Sequence, residues 1–442
     1  MMGTGRRSRN KGGGGGSQYE SSDEDSLETC SVFSGESRAG NNRASQQNTD
    51  EDGSNSGAEE VDHFEDKLKE AIDGASTVKT GPRRTTYLQV LRQALADRFC
   101  PEFLATRPCT MVDIVEKSVK KGRPDEQAAA CALACILVLQ YGPEPDSVHI
   151  YDTLNKTLGH MVTNAGLPYA TRQQCANALA ITAYIADTNP LNIREIMDEL
   201  RSVFSGAYLK GDGMPPTITP EQSALYQTAL QSWALLLTAL PADLAYNHLN
   251  RHLAPICGVL ESNDVDLCIA AGETIALMFE IGRGQKHMFK PEDPRFHLQN
   301  LRAKLNELKT GSQKSHTKKD RKIQKSSFRD IERGITDEEG PDFTVHFGVE
   351  ALHIRTWVDK RTYDALIGVL GRGMNHHLQT NDCLRSLFSL GAPLVPGSKE
   401  SEGLFDKASK FKRHMANVAM DRHRTQKLAK HRDKRMDVCR SD

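Results

Sequence analysis

Asp264–Arg283 reads DVDLCIAAGETIALMFEIGR, and its composition decides the fold. Val265, Leu267, Ile269, Ile275, Leu277, Met278, Phe279 and Ile281 leave almost no polar face, broken only by Glu273 and Thr274 before Glu280. A helix apolar on nearly every side is buried between other helices. The Ala270-Ala271-Gly272 run removes side-chain bulk, so a neighbouring helix can approach closely there. The stretch therefore reads as one member of an inner layer in a multi-helix stack.

Working outward, the same pattern recurs. EQAAACALACILVLQYG, RQQCANALAITAYIAD, LYQTALQSWALLLTALP and LCIAAGETIALMFEIG each place a small residue, an apolar residue four later, and Ala next. The triples are Ala129/Leu133/Ala134, Cys175/Leu179/Ala180, Ala229/Trp233/Ala234 and Ala271/Ile275/Ala276, at spacings of 46, 54 and 42 residues. That range matches armadillo- or HEAT-type repeats, in which each helical unit covers its neighbour's apolar face. A simple helical bundle, the alternative, would need no such register. The fold expected is mostly α: an armadillo/HEAT-like α-solenoid, then a small α+β C-terminal domain and a basic C-terminal helix.

The flanks set the boundaries. Residues 1–62 carry Gly12–Gly16 and then Ser, Asp, Glu, Asn and Gln with hardly a bulky apolar residue, so too little surface can be buried to offset chain entropy. This is an acidic, Gly/Ser-rich tail expected to be disordered. Within it Ser21-Ser22-Asp23-Glu24-Asp25 suits an acid-directed kinase, or is simply solubilising; Arg6-Arg7-Ser8-Arg9 with Lys11 has the composition of a nuclear import signal. Folded sequence starts with HFEDKLKEAID, whose Phe64, Leu68, Ala71 and Ile72 share one helical face. Helical periods then continue over 63–308, with Gly/Pro/Asn breaks such as Gly81-Pro82, Cys100-Pro101, Asn189-Pro190 and Pro215-Pro216.

Residues 309–327 hold Lys309, Lys314, Lys318, Lys319, Arg321, Lys322 and Lys325 with only Ile323 as a bulky apolar residue up to Ser327, which reads as a basic linker. In 328–397 a short helix (Phe328–Gly334), a strand (Phe343–Phe347), a second extended run through Leu352, Ile354 and Trp357, and helices at Tyr363–Leu370 and Cys383–Leu390 make a small mixed unit. In 398–442, Phe411, Met415 and Val418 give a short apolar stripe for docking on protein. Beyond it Arg422, Arg424, Lys427, Lys430, Arg432, Lys434 and Arg435 surround the helix axis on all sides. A segment with no face to bury has little reason to order alone, and is expected to order against a dense polyanion.

Composition narrows the function. Lys+Arg 57 against Asp+Glu 58 gives a formal charge of −1, but the acids crowd the first seventy positions while cations cluster near 302–329 and 407–440. The ten cysteines form no CxxC pair and mostly sit in apolar helical runs, so buried reduced thiols are expected. No apolar signal-peptide core follows the N-terminus and no run reaches membrane-spanning length, which points to the cytosol or nucleus. Walker, HExxH, GxSxG and EF-hand patterns are absent, and Gly368, Gly371 and Gly373 do not make a dinucleotide fingerprint. His376 and His377 are adjacent, about a quarter turn apart on a helix, with no carboxylate at ligand spacing; a surface or hydrogen-bonded role is expected. The chain reads as a non-enzyme with no cofactor, metal or small-molecule substrate.

Several stretches together resemble the interferon-related developmental regulators. They are Lys120-Lys121-Gly122 with Asp125-Glu126-Gln127, Ile269–Glu273 running into Leu277, Phe279 and Glu280, and Ser327-Phe328-Arg329-Asp330. Phe347-Gly348, Trp357, Tyr363-Asp364, Val369-Leu370-Gly371, Gly373-Met374, His377-Leu378-Gln379, Asn381, Leu390-Gly391, Arg432–Arg435 and Asp437-Val438 continue it in order. The match spans roughly 62–438 and departs from the family in the basic stretch 309–325 and in Met415–Lys427. The resemblance implies a ribosome-binding translational repressor acting on idle ribosomes, with the helical body against ribosomal RNA and protein and the C-terminal helix in the messenger RNA path. It also implies an alternative, nuclear transcriptional co-regulation through corepressor and deacetylase complexes, so that cytoplasmic and nuclear localisation are both expected. The RNA- or ribosome-binding residues expected are Arg422, Arg424, Lys427, Lys430, Arg432, Lys434 and Arg435 in the tail, with Lys318, Lys319, Arg321 and Lys322 in the linker.

Overall fold

A computed structural model describes residues 56–394 apart from 187–188, 286–288, 291–292, 294–295 and 311–317; for 56–62 and 318–320 it describes the backbone alone. Residues 1–55 and the tail 395–442 lie outside the described residues. Two units are distinguished, Met1–Lys67 and Leu68–Asp442. Of the first, only the opening turns of helix α1 (Ser56–Thr77) are described. That helix starts ahead of the expected boundary at 62, because Ala58, Glu59 and Glu60 are good helix formers. All the remaining elements belong to the second unit.

Helices α2 (Gly81–Asp97), α3 (Pro101–Ala105), α4 (Pro108–Lys121), α5 (Pro124–Tyr141), α6 (Pro145–Thr163), α7 (Tyr169–Ala186) and α8 (Pro190–Phe204) come first. Then come α9 (Pro220–Ala239), α10 (Ala242–Val259), α11 (Val265–Gly284), α12 (Leu298–Thr310) and α13 (Lys318–Thr336). Pro82, Pro101, Pro108, Pro124, Pro145, Pro190 and Pro220 stand in first turns, where a missing N–H costs nothing and the fixed φ suits the helix. Thr219 adds a capping box with Gln222, and Gly142, at φ 70°, stops α5 where an L side chain would be strained.

The inner layer is α2, α5, α7, α9, α11 and α13, each packed against the next, with α4, α6, α8, α10 and α12 outside it. All twelve residues of the four repeated triples are buried, on α5, α7, α9 and α11. Cys131 and Cys175 thiols meet at 3.7 Å between α5 and α7, the close approach that small residues allow. The expected solenoid is therefore the observed one. All described cysteines are free thiols; Cys131, Cys135, Cys175 and Cys268 are buried, and burial pushes Cys135 up to about 12.

After α13 the chain forms a hairpin of β1 (Phe343–Phe347) and β2 (Glu350–Ile354), antiparallel with Phe343 opposite Ile354 and Phe347 opposite Glu350. Gly348 makes its turn at φ 52°. Helices α14 (Trp357–Leu370), α15 (Met374–Thr380) and α16 (Asp382–Leu387) complete the described chain. The extended run expected through Trp357 ends instead at Ile354: Thr356 caps Asp359 N at 2.9 Å and makes Trp357 the first residue of a helix.

Candidate nucleic-acid interface

Of the basic linker expected over 309–327, residues 309–310 and 318–327 are helical, and 311–317 lie outside the described residues. Lys309 lies in α12, and α13 starts at Lys318, ten residues before the helix expected at Phe328. Ile323, its one bulky apolar residue before Phe328, is 51% exposed, whereas Gln324 is buried and donates to the Leu308 carbonyl at 3.1 Å. The apolar seam is Phe328, Ile331 and Ile335, spaced for one helical face and fully enclosed, with Ile331 over Gly272 of α11. Lys309 pairs with Glu332 at 2.6 Å, and Arg283 of α11 donates to the Gly334 and Ile335 carbonyls at the end of the helix. Lys318–Ser327, which has the composition of a solvated linker, is thus the first half of the last helix of the inner layer.

Its outer face is cationic. Arg321, Lys322, Lys325, Arg329 and Arg333 are exposed. Lys322, Lys325, Arg329 and Arg333 recur at i, i+3, i+7 and i+11, a single stripe along the helix. Arg333 pairs with Glu339; no ion pair of Arg321, Lys322, Lys325 or Arg329 occurs among the described residues. Of the residues expected to bind RNA, Arg321 and Lys322 are on this exposed surface, and Lys318 and Lys319 fall in the first turn of the same helix. Lys325 and Arg329 belong to the stripe and were missed; their spacing shows it only once the helix is extended back to Lys318. Arg422, Arg424, Lys427, Lys430, Arg432, Lys434 and Arg435 lie outside the described residues.

The point from which that tail departs is firmly held. α14 lies across α5, α9 and α11, and Tyr184 of α7 meets its Thr362 at 3.4 Å. Glu280 of α11 accepts the Trp357 and Val358 amides at 2.8 and 3.1 Å, and Lys360 pairs with Glu273 at 2.8 Å. Burial pushes the Glu280 carboxyl up while the two amides pull it down. α15 then reaches α2 at the opposite end of the inner layer, where a Cβ on Gly373 would overlap the Ala96 carbonyl.

Three buried polar residues fasten this return. Asn381 donates to the Leu139 carbonyl at 2.7 Å and to His377 Nδ1 at 3.2 Å, and accepts from Leu384 N at 3.2 Å. Since Nδ1 accepts, His377 carries its proton on Nε2 and donates it to the Leu95 carbonyl at 3.3 Å. Burial, with His376 alongside, holds His377 down to about 4, so it is neutral at pH 7. Arg385 grips Glu350 through both Nη atoms, at 3.1 and 2.8 Å, and donates to the carbonyls of Leu378, Leu390, Gly391 and Ala392. Glu350 in turn accepts Leu394 N at 3.3 Å, fixing the last described residue.

Metal-type groupings of three or more His, Cys, Asp or Glu are absent among the described residues. No helix among them is long and apolar enough to cross a membrane.

Comparison with known proteins fits this layout. The family model described as "Interferon-related developmental regulator (IFRD)" matches residues 31–336, which end with α13. "Interferon-related protein conserved region" matches residues 381–436, from Asn381 through the tail cations. The chain belongs to the interferon-related developmental regulator family. It is 37% identical over 375 residues to the pig protein named interferon-related developmental regulator 1, covering 85% of this chain and 82% of that one. The human protein of that name is 36% identical over the same length, and mouse interferon-related developmental regulator 2 is 36% identical over 377 residues, covering 85% and 84%. The family name is that of a regulator and names no reaction.

Proposed function

We propose that this interferon-related developmental regulator is a non-catalytic, ribosome-binding translational repressor. In this reading the solenoid rests against ribosomal RNA and protein while the cationic segment 422–435 occupies the messenger RNA path. The observation that carries it is α13: its apolar face is locked onto α11 while a row of cations faces solvent on the other side. A rigid cationic row at the end of a helical stack suits a phosphate-lined surface, because charges held in place need no further ordering on binding. Fixing Leu394 through Glu350 and Arg385 supports the reading too, since it sets where the basic tail begins.

The test replaces Arg432, Lys434 and Arg435 with Glu and follows co-sedimentation with 80S particles and repression of translation. Both are expected to be lost; retention of both removes the tail from the mechanism. Protein confined to the nucleus and absent from monosomes would favour the adaptor of corepressor and deacetylase complexes instead.

A further inference from the structure

The outer layer carries a second cationic feature, away from α13. A cleft of about 390 Å³ is lined by Arg194 of α8 and by Leu244, Asn247, His248, Asn250 and Arg251 of α10. Arg194, Asn247, Asn250 and Arg251 are exposed, no carboxylate lines the cleft, and neither arginine has an ion pair among the described residues. Asp198, whose charge acts on His248, is already held by Arg201 at 3.2 Å. His248 is 7% exposed, and its Nδ1 has no hydrogen-bond partner, an unmet need that protein interiors rarely leave. Its ring is clamped against Trp233 of α9 at 6.2 Å and stacked on His252 at 5.7 Å, so it is a rigid part of the wall.

Burial, reinforced by Arg194, Arg251 and Arg201 and opposed by Asp198, holds His248 below its ordinary value; His252 is held to about 4. Both rings are neutral at pH 7, and the positive charge of the cleft belongs to the two arginines. The chemistry that answers two guanidinium groups with amides beside them is a phosphate. The cleft is wider than a lone ion needs; no Phe, Tyr or Trp lines it, and its one ring, His248, is 7% exposed with His252 stacked on it and Trp233 edge-on, so a base has little to stack on. What fits is backbone: a phosphate between Arg194 and Arg251, and a ribose hydroxyl against Asn247 or Asn250.

We propose that the α8–α10 cleft binds the phosphodiester backbone of RNA without reading its sequence, at a place separate from the tail. The proposal deepens the ribosome reading and rests on it for the source of the RNA. Its test uses the full chain carrying the three tail Glu substitutions, so that tail binding does not mask the cleft. Fluorescence anisotropy is measured with a labelled twelve-nucleotide single-stranded RNA, a DNA of the same sequence and a phosphoserine peptide, across a salt series. RNA is expected to bind more tightly than DNA. Arg194→Ala with Arg251→Ala is expected to weaken RNA binding by tenfold or more, and to lower the log–log salt slope by about 1.4 because two phosphates are no longer neutralised. Because both arginines are exposed, circular dichroism of that variant is expected to be unchanged. Nitrogen-detected spectra of His248 should shift on adding RNA in the parent and not in the variant. Equal RNA affinity with and without the arginines, or peptide bound in preference to RNA, overturns the cleft assignment. Neither result touches the tail, whose role is read separately from 80S sedimentation of the chain with its native tail.

Discussion

Asn381 is completely enclosed and uses its side chain on three partners from two helices and its own cap: Leu139, His377 and Leu384. Asn381→Ala leaves the Leu139 carbonyl and the Leu384 amide unsatisfied in a dry site, at roughly 2 kcal/mol. The expected outcome is faster hydrogen exchange in α15 and α16 with little change in α7 and α9, measured by mass spectrometry. His377 adds a pH dependence to the same junction. As pH falls, the unfolded imidazole takes its proton near 6.5 while the folded one refuses it until about 4. Stability from neutral His377 is therefore complete above pH 6.5 and lost through the window from 6.5 down to 4, by at most about 3 kcal/mol. Urea midpoints should fall across that window, and His377→Gln should flatten part of the fall, His252 supplying the same sign of effect.

At the level of elements, α13 separates stability from binding on its two faces. Phe328→Ala empties a fully buried site and is expected to cost roughly 3–5 kcal/mol, seen as a lower urea midpoint and faster exchange over 318–336. Lys322→Glu with Arg329→Glu alters only exposed positions, so the same midpoint should move by no more than about 0.5 kcal/mol while 80S co-sedimentation weakens. Loss of binding after the first substitution and not the second would mean that the cations are merely solvated. The α13 result also shows where reading by composition stops. A polar run with one exposed isoleucine has the look of a linker, and what makes it a helix is the floor that α11 offers to Phe328, Ile331 and Ile335, residues at its far end. In α5, α7, α9 and α11 the constraint works the other way. A helix packed on both sides must be small where neighbours cross and apolar elsewhere, and that requirement is written into the residues themselves.

For the whole molecule, the solenoid presents two cationic surfaces, and the sequence beyond Leu394 carries seven further cations over 422–435. If those seven each neutralise a phosphate, log affinity for ribosomes should fall with log salt at a slope of roughly −5, using the single-strand coefficient. A sucrose-gradient salt titration measures it, and a slope near zero would exclude polyanion binding by the tail.

What the chain determined by itself is the stack: the four triples, the prolines in first turns and the all-round apolar Asp264–Arg283 stretch are local, periodic signals, and each states a packing requirement of its own helix. What only the tertiary structure decided is the return of the C-terminal segment along the inner layer to α2. His377 and the Leu95 carbonyl it meets stand 282 positions apart, and Asn381 and Leu139 stand 242 apart. Single polar residues carry no period, and their partners are backbone carbonyls that every residue possesses, so the pairing exists only once the helices bring the two ends together.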